Sequence, residues 1–120
     1  MRYHERHLRD ERYRLAALFY RTKCRAKRTG LEFDLTLDWV LEQWKAQDGR
    51  CKLTGVGLEF ERAATARNPR SPSLDRVDSS RGYTKDNVEL VCTGVNIAIS
   101  DFGRAVVLDL ASRFVERSRT

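Results

Sequence analysis

Ser73-Leu-Asp-Arg-Val-Asp-Ser-Ser-Arg-Gly-Tyr-Thr-Lys-Asp-Asn-Val-Glu-Leu-Val-Cys-Thr-Gly-Val-Asn96 is the stretch on which the fold turns. From Ser73 to Asp78 the apolar Leu74 and Val77 alternate with polar neighbours, and Val88-Glu-Leu-Val-Cys92 is a short β-branched run. The pattern predicts two strands, with turn residues supplied between them by Ser79 to Gly82. A helix start follows at once, so strands and helix converge on one end with Asp75, Asn87 and Asn96 at the joints. An aspartate on the first strand and an amide oxygen on the helix can meet there around one cation. Hard oxygen donors of that kind suit Mg²⁺ or Mn²⁺ better than zinc.

Outward from this stretch the chain divides by pattern. Residues from about Tyr3 to Arg28 lack Gly and Pro and carry Leu8, Leu15, Leu18 and Phe19 near three-to-four spacing, which predicts a helix ended by Gly30. Its second half is unusually basic, with Arg12, Arg14, Arg21, Lys23, Arg25, Lys27 and Arg28, and leaves a broad face for phosphates. After a brief extended piece, Glu32 to Thr36, Thr36 caps a second helix that runs to about Gln47, with Trp39, Val40 and Trp44 on its buried side and Gly49 as its stop. Cys51 to Gly55 and Gly57 to Phe60 suggest a small hairpin, and Glu61 to Ser71 a polar loop placed to touch nucleic acid. Near Asp101 a last helix begins, with Val106, Val107, Leu110 and Phe114 expected on a buried stripe.

Composition narrows the classes of function. A chain of 120 residues makes one domain, read here as a basic helix over 1–30 followed by the remainder, 31–120. One third of its residues are charged (33%) and the net charge is +6, so the core is modest and the partner expected is a polyanion, nucleic acid before an anionic membrane. No apolar run approaches the roughly 20 residues that span a bilayer, and the charged first 25 residues hold no signal-peptide segment, so the expected location is cytoplasmic. Cys24, Cys51 and Cys92 make neither an even disulfide set nor a C-x-x-C pair, which fits a reducing compartment and no structural zinc.

Taken in order, Cys51-Lys-Leu-Thr-Gly55, Ser73-Leu-Asp-Arg-Val-Asp78, Gly82-Tyr-Thr-Lys-Asp-Asn-Val-Glu-Leu-Val-Cys92 and Val95-Asn96 closely resemble HNH endonucleases of phages and mobile elements, over roughly Phe33 to Asp101. The resemblance implies an α+β architecture built on a ββα-metal core, also called a His-Me finger, in a phosphodiester hydrolase located in the host cytoplasm if phage-encoded. It implies that one divalent cation binds the scissile phosphate and its leaving oxygen while a nearby group activates water. By position, Asp75 is the first metal ligand, Asn96 the second, and Asn87 the residue that braces the loop between the strands.

This chain departs from the family pattern at several positions. Where the first motif His usually serves as general base, it has Arg76, which stays protonated and cannot take a proton from water. Arg76 can instead clamp the scissile phosphate. The base is then a metal-bound hydroxide, the Tyr83 phenol, or His4 or His7. Ile99 stands where many members place a lysine, and Val95 where a cysteine often stands. Phosphate contacts are therefore expected from Arg21, Arg25, Lys27, Arg28, Arg76 and Arg81. The expected activity is nicking or cleavage of duplex or branched DNA, with a homodimer through the apolar stripe of the first helix supplying a second site. The rival readings are an HNH-fold binding module that has lost its base, and a basic RNA-binding protein.

Overall fold

The computed structural model describes the backbone of residues 3–61 and 67–119, and side chains within that range from residue 10 onward. The first helix, α1, runs from Tyr3 to Thr29, roughly 40 Å at 1.5 Å per residue. Leu15, Leu18, Phe19, Thr22 and Ala26 form its buried stripe, and the Thr22 hydroxyl is satisfied by donating to the Leu18 carbonyl at 2.8 Å. Leu8, His4 and His7 carry side chains outside the described set. The helix closes where the sequence says it should: Gly30 takes φ +68°, its N–H donates to the Lys27 carbonyl, and the Leu31 N–H reaches back to the Ala26 carbonyl at 2.9 Å. That is a Schellman closure, which a glycine adopts without steric cost.

Helix α2 spans Leu37–Ala46, and the Thr36 hydroxyl accepts the Trp39 N–H at 3.1 Å as its N-cap. Past its end, Gly49 has φ +67°, and a Cβ there would meet the Trp44 ring at 3.1 Å. Trp39 and Trp44 are half-buried and packed against the core, with Trp44 also 5.2 Å from the Phe60 ring.

Strands β1, Pro72–Arg76, and β2, Val88–Cys92, pair antiparallel with Leu74 opposite Leu90 and Asp75 opposite Glu89. One face of this ladder carries Leu74 and Leu90 into a core shared with α1 and α2. The other carries Ser73, Asp75 and Glu89, since alternate residues of a strand point to opposite sides. One further in-register bond follows the ladder, from the Val77 N–H to the Asn87 carbonyl at 2.8 Å, and Val77 itself is exposed. Helix α3, Thr93–Ser100, follows β2 with no connection. Its first N–H groups donate to the carbonyls of Ser71 and Pro69, both at 2.8 Å.

Two expectations are corrected. The segment 51–60 is not a hairpin of two strands: one bridge joins Arg50 to Gly57, and Gly55, at φ +75°, folds the chain back on Cys51 before a ladder can form. Helix α4, Arg104–Ser118, buries no residue. Val107 is half-buried, but Val106, Leu110 and Phe114 of its supposed core stripe lie exposed, Phe114 by 74%. On α1, by contrast, Leu15, Leu18, Phe19 and Ala26 belong to the core. The architecture is α+β. Among the described residues no helix is long and apolar enough to cross a membrane.

Candidate functional site

Asp75 is 8% exposed and sits on the polar face of β1, directly opposite Glu89 on β2. Like charges at directly opposed positions repel, so the pair needs a counter-charge. Arg104, the first residue of α4, supplies it: Nη2 donates to Asp75 Oδ2 at 2.8 Å and Nη1 to Glu89 Oε1 at 2.9 Å. Burial alone would lower the basicity of this guanidinium, but the hydrogen bonds from Asp75 and Glu89 outweigh it and hold the group more firmly protonated than usual. Two carboxylates against one cation leave the cluster with a formal charge of −1 (−2 + 1). Arg104 gains nothing from its place in the helix, because the N-terminal end of a helix is electropositive.

Asn96 projects from α3 toward the same face, its Nδ2 donating to the Ser73 hydroxyl at 2.6 Å. Ser73 lies two residues from Asp75 on one side of the strand, so Asn96 and Asp75 are neighbours. No donor among the described residues engages Asn96 Oδ1. The Asp75 carboxylate and the Asn96 amide oxygen are hard oxygens, the donor type that Mg²⁺ or Mn²⁺ takes with water completing its shell. Among the described residues there is no cluster of three or more His, Cys, Asp or Glu side chains.

Asn87, 1% exposed, ties the loop that follows β1. Its Oδ1 accepts the Asp78 N–H at 2.9 Å, while Nδ2 donates to the carbonyls of Asp78 at 3.0 Å and Gly82 at 2.9 Å. Gly82 has to be glycine, since a Cβ there would lie 2.5 Å from the Glu32 carbonyl oxygen. Arg76 is fixed by the same loop. Its Nη1 donates to the carbonyls of Ser79 at 2.7 Å and Arg81 at 3.0 Å, and its guanidinium stacks on the buried Tyr83 ring at 5.1 Å.

These groups open onto one groove of about 1280 Å³, whose walls include Asp75, Arg76, Tyr83, Asn96 and Arg104. To the same lining α1 contributes Arg14, Arg21 and Arg25. At 100° per residue these three fall within about 40° of arc, a single basic stripe roughly 16 Å long. Arg67 adds a further guanidinium from the loop before β1; residues 62–66 of that loop lie outside the described set. Of the other arginines and lysines singled out by sequence, Lys27 points to the far side of α1 by helix geometry and Arg28 stands outside the groove wall. Arg81 is exposed and paired with Asp86 at 2.8 Å.

Sequence reasoning missed Glu89, Arg104 and Ser73. Glu89 could have been found by counting the strand register from the turn; Arg104 lies on a separate element and left no local signal. Cys51 and Cys92 are both buried, and the Cys92 N–H donates to Cys51 Sγ at 3.2 Å. Burial works to raise the Cys51 thiol's pKa, yet hydrogen bonds from Thr54, Cys92 and Leu53 bring it below its ordinary value. Cys24 is exposed. No family model, no curated protein and no solved structure matches this chain.

Proposed function

We propose that this chain is a metal-dependent DNA endonuclease or nicking enzyme of the HNH type, with one Mg²⁺ or Mn²⁺ held by Asp75 and Asn96. The observation that carries the reading is the placement of Asp75 and Asn96 in the lining of one groove together with a stripe of arginines from α1. A polyanion drawn in by Arg14, Arg21 and Arg25 would present a phosphodiester to that cluster. When bound, a divalent cation there would polarise the phosphate and acidify its own water, so that Arg76 need not act as a base. Asn87 keeps the loop closed. Arg76, with one amino group spent on two carbonyls and its plane on Tyr83, keeps N–H groups for a phosphate oxygen. Stacking lowers the entropy that such a contact costs.

The Asp75–Arg104 ion pair supports a second reading, a binding module of the same architecture that has no turnover. Chelator separates the two. A binder holds DNA equally well in EDTA and cleaves nothing, whereas the nuclease nicks plasmid only with metal and loses that activity in Asp75→Asn.

One such cluster cuts one strand, and the partner proposed for cutting two is a second copy docked on α4. Val106, Leu110 and Phe114, four residues apart and all exposed, make one apolar stripe along it. Light scattering should give a dimer that Phe114→Glu with Leu110→Glu converts to a monomer; a wild-type monomer at high protein concentration contradicts the interface.

A further inference from the structure

Arg104 occupies the position from which a cation would otherwise balance Asp75 and Glu89, and it lines the DNA-facing groove at the same time. We infer that Arg104 is an exchangeable counter-ion: it neutralises Asp75 and Glu89 while the cluster lacks a divalent cation, and moves to a DNA phosphate in the groove once a cation takes the carboxylates. The inference rests on the metal-site reading above and adds to it a coupling between metal and nucleic acid.

Three features carry it. A guanidinium is always charged, so Arg104 cannot leave the carboxylates by losing a proton; it leaves only for another anion or for water. Its position at the first turn of α4 is electrostatically unfavourable for a cation, so the carboxylates alone retain it. The guanidinium has room to move, because a Cβ at the neighbouring Gly103 would meet nothing within 4 Å and, among the described elements, α4 packs against α3. Arg21 and Arg25 line the same groove and mark where a phosphate backbone would run, so the released guanidinium has an anion within reach of that groove.

Linkage follows from this exchange. If the cation frees Arg104 for phosphate, then Mn²⁺ tightens DNA binding and DNA tightens Mn²⁺ binding by the same factor. Removing the guanidinium should have two effects of opposite sign. The carboxylates become unopposed and bind Mn²⁺ more tightly, and the coupling to DNA falls away.

The test is a set of binding equilibria on the intact chain, free of turnover. Mn²⁺ affinity is measured by calorimetry, with and without a phosphorothioate duplex that resists cleavage, for wild type, Arg104→Gln, Arg104→Lys and Asp75→Asn. Wild type should show mutual tightening of roughly fivefold or more. Arg104→Gln should bind Mn²⁺ roughly tenfold tighter than wild type and show coupling near one. Arg104→Lys, which keeps charge and the fold, should retain the coupling. The inference is overturned if Arg104→Gln and Arg104→Lys both bind Mn²⁺ like wild type, or if coupling survives in Arg104→Gln. Should wild type bind Mn²⁺ no better than Asp75→Asn, the metal-site reading fails together with this inference.

Discussion

Asp75 and Glu89 stand opposite one another across the β1–β2 ladder, held together by the single guanidinium of Arg104. The arrangement stores repulsion that only a cation relieves. Removing Arg104 therefore leaves two partly buried carboxylates uncompensated, and Arg104→Gln should lower stability in EDTA by about 2–4 kcal/mol. The loss should shrink when Glu89→Gln is added, because neutralising one carboxylate abolishes the repulsion between the two. Denaturant unfolding of the four proteins in this cycle checks the claim, and strict additivity of the two substitutions contradicts it.

Asn87 is the most heavily used polar side chain in the loop that carries Arg76. Each of its three hydrogen bonds goes to a backbone group of Asp78 or Gly82, and truncation leaves those groups without partners in a buried place. Asn87→Ala should cost about 2–4 kcal/mol. Asn87→Asp should be no milder, since a carboxylate cannot donate to the carbonyls of Asp78 and Gly82. Chemical denaturation gives the magnitude; a loss below about 0.5 kcal/mol for both variants would show that the loop holds itself.

Acid should loosen the same loop. The Asp78 carboxyl is held below its ordinary pKa by the hydroxyl and backbone N–H of Ser80, and Asp86 by the Thr84 hydroxyl and then Arg81. Both groups bind protons more tightly in the unfolded chain than in the folded one. Their contribution to stability is therefore complete above the ordinary carboxylate pKa of about 4, and is lost as pH falls through the lower folded values. Wild type should lose stability more steeply below about pH 4 than a variant carrying Asp78→Asn and Asp86→Asn. Parallel curves would mean that these contacts do not persist in solution.

The legible parts of this chain were those set by local chemistry. Gly30 announced the end of α1 because only a left-handed residue lets the Leu31 N–H return to Ala26, and Thr36 announced α2 because its hydroxyl can reach the Trp39 N–H. The β-branched run Val88 to Cys92 coincides with β2. Periodicity, however, reports that a helix has an apolar side and not what covers it. The same signal that placed Leu15 and Phe19 in the core placed Phe114 there, where it is exposed. At the site, Asp75 and Asn96 could be picked out because they sit at element joints. Glu89 is hidden in a sequence by its neighbours: within Val88-Glu-Leu-Val-Cys92 it reads as the polar member of an alternating strand, and only the register sets it beside Asp75. Arg104 reaches Asp75 from 29 residues away, a distance over which no sequence pattern speaks.

The central claim is that the Asp75 cluster hydrolyses DNA with a divalent cation, and conversion of supercoiled plasmid to nicked circles tests it most directly. Wild type is compared with Asp75→Asn, near-isosteric and checked for native folding, in Mg²⁺, Mn²⁺ and EDTA. The account predicts nicking in either metal, none in EDTA, and a loss of at least a hundredfold in Asp75→Asn, as expected when a group at the reacting centre is removed. Equal nicking by Asp75→Asn, or intact DNA in both metals from a protein that binds it tightly in EDTA, contradicts the account.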